Sequence, residues 1–183
     1  MARSPLRAVV AALAGLTFAS IAYSQSLTES RLKAAIVSKY PQFVEWPADA
    51  LAGRSTLDLC VLPLAQDSFG ADLQELVAGE TVNALQMTVR RINGDEELDG
   101  CHLLFLPGRL VPVRRSLLQR ATARPILTVS DDPQFLDRGG IVRLRLVDGR
   151  MRFDVNVEVA DKVGLRISSQ LLQLALTVRG TPP

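Results

Sequence analysis

Three short, almost continuously apolar runs, separated by segments with helical spacing, limit what this chain of 183 residues can fold into. The runs lie at 57–62, 102–106 and 126–130. Strands that are buried on both faces and joined by single helices pair in parallel. The chain is therefore predicted to be an α/β protein with a mixed, mostly parallel sheet flanked by helices.

The segments around these runs carry the signals of helices and of one more strand. Helical spacing of apolar residues predicts helices at 27–46, between Ser68 and Gly79, at 111–121 and at 168–178. Pro41 should either kink the first of them or begin a second short helix from Gln42 onward, because proline cannot donate the backbone hydrogen bond of a helix interior. Alternating side chains predict a half-buried strand at 85–92.

A hairpin is predicted towards the end of the chain. Segments 141–147 and 151–159 alternate apolar and polar residues on either side of Asp148-Gly149, a dipeptide typical of tight turns between antiparallel strands. This C-terminal antiparallel hairpin should extend one edge of the sheet. Nothing within 25–183 has the composition of a linker, so these residues are predicted to form a single domain.

Residues 1–24 have the pattern of a secretory signal peptide. Two arginines precede an apolar run at 8–22 that is short for a bilayer, and Ala22 and Ser24 fit cleavage after residue 24. An uncleaved anchor is the alternative. Cleavage removes two of the 21 basic residues, which leaves as many basic as acidic residues in the exported chain. This formal neutrality argues against nucleic acid as a partner.

Cys60 and Cys101 are the two cysteines of the chain. In an oxidising compartment they have one intramolecular pairing, and closing that loop would remove about 4 kcal/mol of unfolded-state entropy. The alternative is a redox or metal site, against which the absence of a Cys-x-x-Cys spacing argues. The single histidine, His102, is expected to be structural, and too few ligands remain for zinc. Neither a metal nor a cofactor is predicted.

No group of residues has the pattern of an active site. The acidic pairs Glu96-Glu97 and Asp131-Asp132 lie beside turn residues, where carboxylates are well solvated. Glycine-rich phosphate loops are absent from the sequence, and Ser168-Ser169 is predicted to cap a helix rather than to supply a nucleophile. The chain is interpreted as a binding protein and not as an enzyme. An exported enzyme that uses Asp131 and Asp132 is one alternative.

A small-molecule receptor is a second alternative. Open α/β sheets bind ligands at the carboxyl ends of their parallel strands. Those ends are expected near Pro63, Pro107 and Ser130. Stabilisation by a nucleotide or an amino acid would separate a receptor from a protein-binding regulator.

Six sequence strings carry a resemblance to a known family. They are FVEWP at 43–47, LCV at 59–61, CHLLF at 101–105, VSD at 129–131, RFDVN at 152–156 and GLRISSQLLQLA at 164–175. In this order they resemble the YfiR family of periplasmic proteins (YfiR/HmsC-like), over nearly the whole mature chain.

The resemblance implies a periplasmic regulator without catalysis of its own. Such a protein restrains the periplasmic sensor domain of an inner-membrane diguanylate cyclase, which lowers cyclic-di-GMP and biofilm formation. An OmpA-like outer-membrane lipoprotein sequesters it and releases the cyclase. The family's disulfide maps onto Cys60 and Cys101. A second cysteine pair, which some relatives have near the hairpin, is absent from this sequence.

A regulator of this kind needs a surface with a few apolar anchors. The candidates are Trp46 and three residues of the predicted last helix, Leu171, Leu174 and Val178. Trp46 has the alternative role of packing at the end of its own helix. A helix that is apolar nearly all round is either buried or faces a partner, and the sequence does not separate the two. A homodimer is also left open.

Overall fold

The structure, a computed structural model, describes residues 29–63, 68–93, 98–108 and 115–180. The predicted signal peptide at 1–24 and the acidic pair Glu96-Glu97 lie outside the described residues. So do residues 111–114 of the third predicted helix.

Helices and strands alternate along the described residues. The helices are α1 (29–37), α2 (Ala48–Leu51), α3 (Phe69–Val77), α4 (Arg115–Ala121), α5 (Val157–Lys162) and α6 (Ser169–Leu174). The strands are β1 (Val44–Glu45), β2 (Thr56–Val61), β3 (Thr81–Val82), β4 (Leu85–Arg91), β5 (Cys101–Leu106), β6 (Leu127–Ser130), β7 (Val142–Val147), β8 (Arg150–Asn156), β9 (Arg166–Ile167) and β10 (Thr177–Arg179). Short 3-10 helices occupy Tyr40–Phe43 and Leu136–Arg138.

Eight strands form one sheet in the order β10-β8-β7-β6-β5-β2-β4-β3. The strands in its middle, β7, β6, β5, β2 and β4, are parallel to one another. β8 runs antiparallel to β7, and β3 runs antiparallel to β4. The predicted fold class, a mixed and mostly parallel sheet flanked by helices, is confirmed.

Each face of the sheet is covered by its own apolar core. The larger core, which includes Tyr40, Phe69 and Phe105, lies between the sheet and α1, α3, α5 and α6. The smaller core lies under α4 and includes Phe135. The central strands are therefore buried on both sides, and this is why their sequences are continuous apolar runs rather than alternating ones.

The predicted hairpin is present but shorter than expected. β7 and β8 flank Asp148 and Gly149, whose φ angles of 48° and 70° suit a two-residue turn. The second strand ends at Asn156 instead of 159, because the Asn156 side chain accepts a hydrogen bond from the Val159 N–H (3.2 Å) and caps α5. β8 is also not the edge of the sheet, since β10 pairs with its far side.

The last predicted helix, 168–178, is wrong in its second half. α6 ends at Leu174, and Val178 lies in β10 instead. The Leu176 N–H donates to the Phe153 carbonyl (2.8 Å), and the three residues that follow pair in parallel with β8. An apolar run does not by itself distinguish a helix from a strand. Here the residues after 176 form a strand because the edge of β8 is available for pairing.

The first predicted helix, 27–46, is not continuous: of the two expected outcomes at Pro41, a kink or a second short helix, the structure has a short 3-10 helix at Tyr40–Phe43. α1 ends at residue 37, Pro41 is buried in the 3-10 helix that follows, and Val44–Glu45 forms β1. β1 pairs antiparallel with β9 in a separate two-stranded sheet, which the sequence did not predict. Within the described ranges, no helix has the length and apolarity needed to cross a membrane.

Candidate functional site

The two cysteines lie at the centre of the main sheet. Cys60 in β2 and Cys101 in β5 form a disulfide between neighbouring parallel strands, with their Cα atoms 5.8 Å apart. Arg90 covers the bridge, with its Nη2 3.5 Å from the Cys60 Sγ and 3.3 Å from the Cys101 Sγ. The same Nη2 donates to the Asp99 carbonyl (2.7 Å). Both sulfur atoms are thus committed to a buried cross-link, and no described cysteine is a free thiol.

His102 is buried and hydrogen bonded on both ring nitrogens. The Asp58 N–H donates to its Nδ1 (3.0 Å), and its Nε2 lies 3.4 Å from the Ala50 carbonyl oxygen. An acceptor at Nδ1 places the ring proton of the neutral imidazole on Nε2, towards Ala50. Burial lowers the pKa of His102 and outweighs the opposing effects of the Ala50 carbonyl and Asp58. The ring is a neutral structural group.

Asp131 and Asp132 are held by neighbours rather than simply solvated, so that expectation is wrong. Asp131 accepts hydrogen bonds from the Lys33 Nζ (2.6 Å) and the Gly108 N–H (2.6 Å). Asp132 pairs with Arg138 and accepts a backbone N–H of the next turn (2.8 Å). Each carboxylate therefore orders the loop after β6. Across the described residues, no cluster of His, Cys, Asp and Glu could hold a metal ion.

Trp46 is only 7% exposed. Its Nε1–H donates to the His102 carbonyl (3.3 Å), and the two rings meet edge to face with centroids 6.2 Å apart. Part of the indole borders a groove of about 650 Å³ together with residues of β1 and β9. In the isolated chain Trp46 thus packs β1 against β5, at the end of the broken first helical segment.

The last part of the chain presents both buried and exposed apolar residues. Leu171 is buried, and its N–H donates to the Ser168 Oγ (3.3 Å), which caps α6. Leu174 is 63% exposed and Leu176 is 49% exposed, while Val178 is half-buried. We call Leu174, Leu176 and Val178 the C-terminal apolar surface.

The structure brings together two of the four candidate contact residues. Trp46 and Leu171 lie in the same core, because β1 pairs with β9 and the chain passes from Ile167 at the end of β9 into α6. Leu174 and Val178 lie beyond this point and remain accessible. Of the four residues, Trp46 and Leu171 are therefore buried, Val178 is half-buried and Leu174 is exposed.

A cavity of about 380 Å³ lies where β6 ends and β7 continues. It is lined by Glu29, Lys33, Asp131, Pro133, Arg143, Leu144, Arg145, Leu146 and Met151. Lys33 closes one side and pairs with Glu29 (2.7 Å) as well as Asp131. Burial by itself lowers the pKa of Lys33, but hydrogen bonds to the two carboxylates outweigh it, so the pKa is raised and the ammonium is charged. The cavity adjoins Ser130, where a receptor would be expected to bind its ligand.

The hairpin carries a cluster of charged side chains that was not predicted from the sequence. Arg143 donates to Asp154 Oδ2 through Nε (2.9 Å) and Nη2 (2.6 Å), and Arg145 lies 3.6 Å from the same oxygen. Asp154 is fully buried, and its Oδ1 has no hydrogen-bond partner among the described atoms. The signal was present in the alternation of the hairpin, which puts 143, 145, 152 and 154 on one face.

Comparisons with known proteins bear on this arrangement. A family model described as YfiR/HmsC-like matches residues 30–176, which include both cysteines, the hairpin and α6. No curated protein matches the sequence. A crystal structure of a conserved domain protein from Vibrio cholerae aligns with a TM-score of 0.48 and 9% identity, over 71% of this chain and 56% of that chain. Because the family model spans most of its length, the chain belongs to the YfiR/HmsC-like family.

Proposed function

We propose that this protein is a periplasmic regulatory binding protein that represses an inner-membrane diguanylate cyclase through the periplasmic domain of that enzyme. Repression would lower cyclic-di-GMP and biofilm formation. The family match over residues 30–176 carries the proposal, because YfiR/HmsC-like proteins are periplasmic regulators of cyclic-di-GMP signalling. An OmpA-like outer-membrane lipoprotein would release the cyclase by sequestering the regulator.

The C-terminal apolar surface supports regulation by protein contact. Leu174 and Leu176 expose about half or more of their surface, and Val178 adjoins them on β10. A few apolar anchors at the centre of an interface provide most of its binding energy. We assign the cyclase contact to this surface, with Leu174 and Val178 in the interface, whereas Leu171 and Trp46 are buried in the larger core.

The proposal requires export, with the signal peptide removed near Ser24. Intact-mass measurement of the protein recovered from a periplasmic extract tests this step. A mass that corresponds to a start at Gln25, or within a few residues of it, supports the proposal. Full-length protein in the membrane fraction would instead support an uncleaved anchor.

The central experiment is gene deletion in a strain that contains a candidate cyclase with a periplasmic domain. Deletion should raise cyclic-di-GMP and biofilm mass, and a plasmid copy of the gene should restore both. Deletion of the cyclase as well should abolish the rise, because no enzyme is left to be released. A single deletion that leaves cyclic-di-GMP unchanged contradicts the proposed function.

A second candidate function is a small-molecule-binding sensory protein of the periplasm. The observation that favours it is the cavity beside Ser130, which combines the charged Lys33 and Arg143 with an apolar wall. A thermal-shift screen with nucleotides and amino acids tests this function. A large rise in melting temperature at sub-millimolar ligand supports a receptor, and a flat response leaves the regulator as the better explanation.

A further inference from the structure

The outer half of β7 has one edge without a neighbouring strand. β6 pairs with β7 only up to Ser130 opposite Arg143, and the chain then turns away, whereas β7 continues to Val147. On the other side, β8 pairs with β7 all the way to the turn. Among the described residues, no strand pairs with the β6 side of 144–147.

The hairpin geometry shows which backbone groups face this edge. In a two-residue hairpin the residues that flank the turn exchange hydrogen bonds, so Val147 and Arg145 direct their N–H and C=O groups towards β8. Leu146, which lies between them, must direct both of its backbone groups the other way. An unpaired edge of this kind is a template for another strand.

The two faces of this edge differ in chemistry. On one face lie Leu144, which is buried in the larger core, Leu146, which is about half exposed, and Met151, which is partly buried. On the opposite face, Arg145 lies directly across from Arg152. Leu144, Leu146, Met151 and Arg145 also line the cavity at the end of β6, whereas Arg152 does not.

The arginine face carries more positive charge than it neutralises. Arg145 and Arg152 are cross-strand partners of like charge, an arrangement that destabilises a sheet by itself. The carboxylate within reach, Asp154, is already shared by Arg143 and Arg145. Arg152 has no ion pair among the described residues, and Arg150 lies on the same face two pairs further towards the turn. Such a face is suited to carboxylates supplied by another molecule.

We propose that the free edge of β7 at residues 144–147 binds an extended segment of a partner protein in which apolar residues alternate with Asp or Glu. The segment would add a strand beside β7, with its backbone paired to Leu146. Its apolar side chains would lie on the exposed Leu146, and its carboxylates would lie on Arg145 and Arg152. This inference rests on the proposed function, since it names a segment of the regulated partner.

The acidic residues of the cavity are consistent with a bound segment whose carboxylates lie on the arginine face. Glu29 and Asp131 line the opposite wall, and both are paired with Lys33, which leaves that wall with one net negative charge. α1, which carries Glu29, packs on the leucine face of the sheet. The carboxylates of the bound segment would point to the other face, away from α1.

Fluorescence anisotropy with labelled eight-residue peptides tests the inference. The probe alternates valine and glutamate, and the control peptide has lysine in place of every glutamate. We expect the glutamate peptide to bind with at least about tenfold higher affinity than the lysine peptide, and to weaken as salt rises. Binding of both peptides with equal affinity would overturn the inference.

Two variants locate the binding site. Arg152→Glu should weaken the glutamate peptide by about tenfold, whereas Arg166→Glu, an exposed arginine of β9, should leave its affinity unchanged. Leu146→Pro removes the N–H at the free edge and should abolish binding, and proline is tolerated at such a position. Circular dichroism checks folding. If Leu146→Pro unfolds the hairpin, slower hydrogen exchange of the Leu146 amide in the wild-type complex provides the same test.

Other occupants of the edge would overturn the inference. A dimer in sedimentation that Leu146→Pro dissociates would assign the edge to a second copy of the chain. Tighter peptide binding after removal of the residues that precede Glu29 in the exported chain would assign it to the chain's own N-terminal segment. A protein that represses the cyclase but binds no glutamate peptide overturns this inference alone. Peptide binding without any effect of gene deletion on cyclic-di-GMP overturns the proposed function alone.

Discussion

His102 accepts the Asp58 N–H through Nδ1, and this bond requires an unprotonated nitrogen. Protonation would set two donors against each other in a buried position, so the folded state disfavours the imidazolium ion. Burial lowers the pKa of His102 for the same reason. Since the chain has one histidine, its titration near neutral pH is not mixed with that of another ring.

The expected consequence is a loss of stability in mild acid. The unfolded histidine, with a pKa of about 6.5, binds protons before the folded one does. The free energy of unfolding should therefore be constant above about pH 7 and decrease as the pH falls below about 6.5, by at most about 1.4 kcal/mol per pH unit. Urea denaturation at closely spaced pH values measures this.

The matched control for this prediction is His102→Asn. The asparagine Oδ1 can accept the Asp58 N–H in place of Nδ1, but it does not titrate. The variant should lose the decrease between pH 7 and about 5.5. If wild type and variant show the same slope there, His102 is not the titrating group.

Gly108 lies where no side chain fits. A Cβ atom at this position would be 2.9 Å from Asp131 Oδ1 and 3.0 Å from the Asp132 backbone N. We expect Gly108→Ala to lower the free energy of unfolding by about 1–3 kcal/mol, because the loop after β6 would have to move. Chemical denaturation measures the change.

Gly70→Ala provides the opposite case. Gly70 lies in the first turn of α3, and a Cβ there would meet no atom closer than 3.5 Å. The substitution should raise the free energy of unfolding by about 0.4–1 kcal/mol, since alanine restricts the unfolded chain more than glycine. Equal effects of the two substitutions would mean that the contact at Gly108 is unimportant.

At the scale of secondary structure, the hydrophobic pattern correctly predicts the elements whose boundaries depend on their own residues. The strands β2, β5 and β6 and the helix α3 lie within a residue or two of their predicted bounds. The pattern fails where the type or the end of an element depends on a single side chain or on a strand that is distant in sequence. Asn156 ends β8 by capping α5, and β10 forms only because the edge of β8 is available. The strands β1 and β9, of two residues each, are too short for any period to show.

The same distinction applies to the candidate site. Leu171 and Leu174 belong to one apolar run in the sequence, and their spacing of three places them on the same side of a helix. Leu171 is nevertheless buried, whereas Leu174, the last residue of α6, is 63% exposed. Trp46 was ambiguous for a similar reason, because its hydrogen-bond partner, the His102 carbonyl, is 56 residues away. The hairpin arginines were predictable from alternation, but the unpaired edge beside them depends on where β6 ends in space.

Asn156 offers a test of the cap that ends β8. Its Oδ1 accepts the Val159 N–H, one of the first backbone donors of α5. Asn156→Ala should lower the free energy of unfolding by about 1 kcal/mol, as loss of an N-cap typically does, while Asn156→Asp should retain most of the stability. Thermal and urea denaturation measure both. Equal losses in the two variants would assign the effect to packing and not to the cap.

For the molecule as a whole, the C-terminal apolar surface should separate function from stability. Leu174→Asp should weaken repression of the cyclase by about tenfold, with a free energy of unfolding within about 0.5 kcal/mol of wild type, since Leu174 is mostly exposed. Cyclic-di-GMP in the complemented deletion strain measures repression.

Two leucines serve as controls for this surface. Leu32→Asp changes another exposed leucine, on α1, and should leave repression intact. Leu171→Ala should instead destabilise the fold by about 2–5 kcal/mol, because it opens a cavity in the core. Full repression by Leu174→Asp would remove α6 from the interface.

The disulfide joins β2 and β5, two neighbouring strands of the sheet. The order in which the chain adds strands reverses its direction between them. From β2 the chain crosses to β4 on one side and then returns to β5 on the other side of β2. The bridge between Cys60 and Cys101, 41 residues apart, therefore closes a loop that contains α3, β3 and β4. Cross-linking a loop of this length restricts the unfolded chain across nearly half of the main sheet.

Replacing both cysteines should consequently lower the stability of the whole molecule and not only of one strand. We expect Cys60→Ser/Cys101→Ser to reduce the free energy of unfolding by about 3–4 kcal/mol, and wild type in strong reductant to show a similar loss. Repression should weaken in proportion to the unfolded fraction, because the sheet that positions the C-terminal apolar surface is lost. A double variant with native stability and full repression would show that neither fold nor function depends on the bridge.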